Sequence, residues 1–114
     1  MTQKFTEKTQ EITAQIMKLR KEIPEVMTSF SALAQAAGKD GTLNKKTKEL
    51  IAIALAVSNR CSGCIGFHAQ TLVKLHTTRQ EFLETLAMAI YMGGGPSLMY
   101  AAEALEAFEE FQVS

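Results

Sequence analysis

The stretch NRCSGCIGFHAQ, residues 59–70, contains both cysteines of this 114-residue chain and one of its two histidines. Cys61 and Cys64 stand three positions apart, and His68 follows four positions later. Two thiols and an imidazole so spaced could clamp a metal, form a redox couple or anchor a haem. They could equally be inert side chains on a buried helix, since cysteine is commonly buried. If the segment is helical, each residue turns the chain by about 100° and advances it by about 1.5 Å. Relative to Cys61, Cys64 then lies at about −60° and His68 at about −20°, on one narrow face. Cys61 falls in the first turn, where unpaired backbone N–H groups and the helix dipole favour a negative charge. A thiol of pKa near 8.5 is only about 3% ionised at pH 7, and a pKa of about 6.5 raises that to about 75%. The change costs about 2.7 kcal/mol, within reach of a helix terminus helped by a nearby histidine.

The rival chemistries fit less well. A structural zinc site wants four ligands, and Cys61, Cys64 and His68 supply three. His76 lies about 12 Å further along the same axis, so a fourth ligand would have to come from another element or subunit. Haem attachment needs histidine directly after the second cysteine, and Ile65 is there. A thioredoxin-type unit needs a surrounding βαβ pattern, which is missing.

Glu49 raises a separate question. Its helical neighbours at 52, 53 and 56 are Ala52, Ile53 and Ala56, so its side chain leads into an apolar face. One reading is an exposed i, i+4 pair with Lys45, worth a few tenths of a kcal/mol. The other is a partly buried carboxylate facing the cysteine helix, its pKa raised by desolvation until it can act as a base near neutrality.

The elements that must carry these groups all read as helices. Phe5, Ile12, Ile16, Leu19 and Ile23 follow helical intervals and mark one face of a first helix. Pro24 can open a second helix and Gly38 close it, with Met27, Phe30 and Ala34 or Ala37 pointing inward. After the turn GKDGTLN, Asn44 can cap a third, whose segment LIAIALAV (residues 50–57) is apolar all round and belongs in the middle of the domain. A fourth runs from about Cys61 to His76. Thr78 and Glu81 form a capping-box pattern for a fifth, carrying Phe82, Leu83, Leu86 and Ile90. MGGGP breaks it, and Pro96 is placed to begin a sixth with Leu98, Ala102, Leu105 and Phe108 inward. GGGP lacks the Gly-Lys-Ser/Thr of a phosphate loop, so it reads as a turn, and no cofactor is called for. Met88, Met92 and Met99 around it read as core filler, with lining of an apolar pocket as the alternative. Tyr91 and Tyr100 fit such a pocket or an interface. The expectation is an all-α fold of about six helices in a single domain, residues 1–114.

Hydrophobic residues make up 46% of the chain, a globular composition long enough for one core. Basic and acidic residues balance at 12 each, which argues against nucleic acid or an anionic membrane as partner. The balance is uneven along the chain, with ten basic and six acidic residues in 1–60 and two and six in 61–114. Those halves could pair within one chain or between subunits. No apolar run approaches the roughly 18 residues of a membrane span, and MTQKFTEKTQ does not read as a signal peptide, so a cytoplasmic location is expected. In that reducing compartment a CxxC pair is catalytic or metal-binding more often than a structural staple.

Glu49, eleven intervening residues, then CSGCIGFH resembles the alkylhydroperoxidase D-like branch of the carboxymuconolactone decarboxylase family. The third to fifth helices and the GGGP break look like that family's repeat unit, over roughly residues 25–110. The resemblance implies that Cys64 attacks a peroxide oxygen and that Cys61 condenses with the resulting sulfenic acid to form a disulfide. It implies that His68 and Glu49 relay the proton, with a water between them, and that a dithiol such as a lipoylated protein re-reduces the pair. It also implies a homo-oligomer, trimer or hexamer, with a small peroxide or disulfide as substrate. The peroxidase prototype has a histidine directly before the second cysteine, where this chain has Gly63. A weak peroxidase or general thiol–disulfide oxidoreductase therefore fits better than an efficient alkyl hydroperoxide enzyme. The decarboxylase branch lacks the cysteine pair and is the alternative enzyme. A non-catalytic oligomeric module whose cysteines sense oxidation is the alternative of another class.

Overall fold

Helix boundaries in this chain fall where its capping chemistry puts them. In the computed structural model, which describes residues 3–113, the helices are α1 (Lys4–Glu22), α2 (Pro24–Gly38), α3 (Lys45–Ser58), α4 (Ser62–Lys74), α5 (Arg79–Gly93) and α6 (Gly95–Gln112). No strand occurs among the described residues. Asn44 caps α3 by accepting the Thr47 N–H at 2.8 Å. The capping box of α5 closes in both directions, Thr78 N–H to Glu81 at 2.9 Å and Glu81 N–H to Thr78 at 3.1 Å. Gly94, with φ +71°, ends α5 in a backbone conformation that favours glycine. Gly95 starts α6, so Pro96 sits one position later than expected. The start of α1 has no local side-chain cap. Glu110 of α6 supplies one instead, accepting the Phe5 and Thr6 N–H groups at 3.1 and 2.7 Å.

α3, α4, α5 and α6 build the core, and α1 lies across α4 and α6. Ile53, Val57, Ile65, Leu72, Phe82 and Phe108 are fully buried there, together with Phe5 from α1. Each such side chain contributes about 1.5–3 kcal/mol by leaving water. Phe82 and Phe108 stack with ring centroids 4.3 Å apart. The ion pairs Lys4–Glu106 and Lys46–Glu81 join the basic front half to the acidic back half.

Several inward faces differ from expectation. α6 buries Ser97, Ala101, Ala104, Ala107, Phe108 and Phe111 and leaves Leu98 and Ala102 exposed. Its alanines let the neighbouring helices approach, so small residues rather than large ones define the packed side. α3 is not enclosed, because Ile53, Ala56 and Val57 are buried while Ile51 and Leu55 face outward. α2 packs only against α1 and α3 among the described residues and buries none of its own side chains. Met27 is half-buried, but Phe30 is 63% exposed and Ala34 and Ala37 are exposed. Leu19 and Ile23 at the end of α1 are exposed too, as are Met88, Met92 and Met99, which are not core filler.

Candidate active site

A tight turn between α3 and α4 carries the cysteine pair, and the two helices it joins carry Glu49 and His68. α3 ends with Arg60 N–H on the Val57 carbonyl at 3.2 Å and Cys61 N–H on the Ala56 carbonyl at 3.0 Å. This double closure needs a left-handed residue between, and Arg60 takes that place with φ +57°. Cys61 thus completes the end of α3 and is also the N-cap of α4. It stands just outside the helix rather than within its first turn. α4 is shorter than expected at its other end as well, for His76, with φ +58°, lies beyond it and is exposed.

Cys61 and Cys64 form a disulfide, with Cα atoms 5.2 Å apart, inside the usual range for a bridge. Cys61 Sγ also accepts the Cys64 N–H at 3.2 Å. A sulfur in this position receives a backbone N–H and faces the positive end of the helix, both of which favour it as a thiolate. Cys64 is exposed and Cys61 is half-buried. Of the two residues, Cys64 is thus the more accessible, while Cys61 is seated at the helix end.

After the turn α3 and α4 run back along each other. Glu49 lies about 14 Å down α3 from the turn and His68 about 9 Å down α4, by helical rise. Their side chains meet, His68 Nδ1 to Glu49 Oε1 at 2.7 Å, with Glu49 only 13% and His68 35% exposed. This contact engages Nδ1, so Nε2 is the ring nitrogen left to act on a third group. Glu49 is thus committed to the cysteine helix, and the alternative Lys45–Glu49 pair is not formed. The backbone N–H of Lys45, at the start of α3, donates to Asp40 Oδ1 at 2.6 Å. A cleft of about 460 Å³ opens beside the imidazole, lined by Ala34, Gln35, Lys45, Lys48, Glu49 and His68 among others. α2 forms its far wall, fastened by Lys48 Nζ, which donates to the Ala37 and Lys39 carbonyls at 2.9 and 2.7 Å.

Two neighbours of the cysteines escaped the sequence reading. Ser62 donates its hydroxyl to Glu103 Oε1 of α6 at 3.0 Å, a pairing across 41 positions that no spacing rule reveals. On the other flank α1 crosses α4 at two glycines. A Cβ at residue 63 would stand 2.9 Å from Ile12 Cδ1, and one at residue 66 would stand 2.9 Å from Thr9 Cγ2. The place where the peroxidase prototype has a histidine is therefore overlaid by Ile12. Among the described residues no three His, Cys, Asp or Glu side chains converge to hold a metal ion. No described helix is long and apolar enough to cross a membrane.

Fold and site together define a class of small all-α domains with a CxxC pair at the start of a packed helix. The model of the carboxymuconolactone decarboxylase family matches residues 24–107, and the chain belongs to that family. It is similar in structure to an apo carboxymuconolactone decarboxylase family protein from Legionella pneumophila, at TM-score 0.96 and 72% identity over 97% of this chain and 99% of that one. A family protein from Thermotoga maritima, with a suggested involvement in antioxidative response, superposes at TM-score 0.84 and 25% identity, covering 93% of this chain and 91% of its own. An uncharacterized protein of Cupriavidus necator is 40% identical over 96% of both chains.

Proposed function

We propose that this protein is a thiol-dependent peroxidase or thiol–disulfide oxidoreductase of the alkylhydroperoxidase D-like branch, turning over its Cys61–Cys64 pair. The observation that carries the reading is the joined cysteine pair at the head of the helix that bears the Glu49-backed His68. In the reduced protein Cys64, the exposed sulfur, gives its proton to His68 and attacks a peroxide oxygen. The S–O bond forms as O–O breaks, and the leaving alkoxide takes the proton to become an alcohol. Cys61 then displaces hydroxide from the Cys64 sulfenic acid, releasing water and closing the disulfide before further oxidation can occur. An external dithiol, for which a lipoylated protein is a candidate, attacks Cys64 and expels Cys61. The departing thiolate is stabilised at the N-cap by the Cys64 N–H and the helix dipole. Resolution of the mixed disulfide by the second reductant thiol returns both cysteines to the dithiol. Glu49 orients the imidazole, and both residues line the adjoining cleft. Without an imidazole at residue 63, slow peroxide turnover is expected.

The test is peroxide consumption with dithiothreitol as reductant, in wild type, C64S, C61S and E49Q. C64S should abolish turnover, and C61S should allow at most one oxidation per subunit without reductant. E49Q should slow turnover about ten- to hundredfold, less than the loss of a direct acid–base group. Equal turnover in all four proteins would refute the assignment.

A further inference from the structure

The two residues between the cysteines are each held from outside α4. Gly63 lies under Ile12 of α1, and the hydroxyl of Ser62, the first residue of α4, is bonded to Glu103 of α6 at 3.0 Å. Both Ser62 and Glu103 are half-buried. A carboxylate therefore stands at the same helix end that seats Cys61. It serves neither the Glu49–His68 pair, which lies further along α4, nor the ion pair of Glu106 with Lys4. Its charge occupies the positive end of the helix and repels any second anion placed there.

We infer that Glu103 is a positioning residue that sets the reduction potential of the Cys61–Cys64 couple. Tethered through Ser62, its carboxylate disfavours the thiolate form of the reduced pair and holds the couple towards the disulfide. The inference rests on the redox reading of the same site. Reduction by a dithiol breaks the Cys61–Cys64 bond, passes two electrons and two protons to the cysteines, and closes a disulfide in the reductant. Whatever stabilises the resulting thiolate shifts that exchange towards the reduced protein, and a nearby carboxylate does the reverse.

The experiment is redox equilibration with reduced and oxidised dithiothreitol at mildly alkaline pH, together with thiolate ionisation followed by ultraviolet absorbance. E103Q keeps an acceptor for Ser62 and removes only the charge. It should shift the equilibrium towards the dithiol about three- to tenfold, or about 15–30 mV, and move thiolate formation to lower pH. E103K, which inverts the charge at this partly exposed position, should shift it further the same way, so the test survives poor folding of either variant. E103D should stay near wild type, and S62A, which keeps the charge but loses the tether, should fall between. A wild-type equilibrium unchanged in E103Q and E103K, or moved towards the disulfide, overturns the inference while leaving the redox reading intact. Failure of the wild-type cysteines to exchange reversibly with the dithiol overturns both.

Discussion

Glu110 carries a large consequence for a single side chain near the end of α6. Its removal from water raises its pKa, yet donation from the Thr6 and Phe5 N–H groups outweighs that, and its carboxyl is held below the ordinary value of 4.5. A depressed folded-state value means the contribution is full above the unfolded pKa and disappears as pH falls through the folded one. Docking of α1 should therefore weaken below about pH 4.5, first seen as faster hydrogen exchange in α1 than in α4. Glu110→Gln sets an amide N–H₂ against one of those backbone N–H groups and should cost about 1–3 kcal/mol at neutral pH in a urea melt. Its stability should also respond less to acid. If wild type and variant lose stability in parallel between neutral pH and mild acid, the carboxylate is not what fastens α1. Neither Glu110 nor Glu103 could be found from spacing, because their partners lie 105 and 41 positions away. The Cys61–Cys64 pairing was legible because three positions across a helix start bring two side chains within bridging distance. Glu49 was legible only as a choice between two partners, since the turn that selects His68 is a tertiary matter.

At the scale of the element, the α3–α4 turn joins the cysteine pair to a strained backbone position. Arg60 adopts a left-handed conformation that a side chain bearing Cβ resists by about 1–2 kcal/mol, because the two hydrogen bonds of the helix end demand it. Arg60→Gly should relieve that strain at some cost in unfolded-state entropy, for a net gain of about 0.5–1 kcal/mol. A thermal melt that rises by a few degrees would bear this out, whereas an equal or lower midpoint would show that the arginine side chain earns its place through contacts of its own. Such helix ends were readable wherever the chain uses common residues for them, as with Asn44, the Thr78–Glu81 box and the glycines before Pro96. Arg60 and His76 are atypical occupants of left-handed positions, and the helix expected from about Cys61 to His76 runs Ser62–Lys74. Which side of each helix is buried was read less well than where the helix lies. The alanine-rich side of α6 packs inward because close approach matters more there than side-chain size.

At the scale of the whole molecule, α2 is the element that the single chain leaves unexplained by its own packing. Fifteen residues are a marginal length for a helix that depends on propensity alone, and none of its side chains is buried. Val26, Phe30 and Leu33 nevertheless form an apolar stripe at helical spacing, all three more than half exposed, and Glu25 is its sole charged residue. Ile51, Leu55 and Met88 are a second exposed apolar set, on α3 and α5. Apolar side chains are exposed at the ends of α1 and α6 as well, among them Leu19, Ile23, Leu98 and Met99. We propose that a second copy of the chain covers these stripes; α2 is also the outer wall of the cleft beside His68. Sedimentation equilibrium at micromolar concentration should therefore give a mass that is a multiple of 12.5 kDa. On that proposal Phe30→Glu sets a charge in the exposed stripe and should weaken assembly by at least about tenfold, corresponding to about 1.4 kcal/mol per contact. The variant should also loosen α2, read as faster hydrogen exchange across residues 24–38 than in α4. A wild-type mass of one chain, with α2 already protected from exchange, would mean that the helix holds its shape through α1 and α3 alone and that the cleft is complete in each chain.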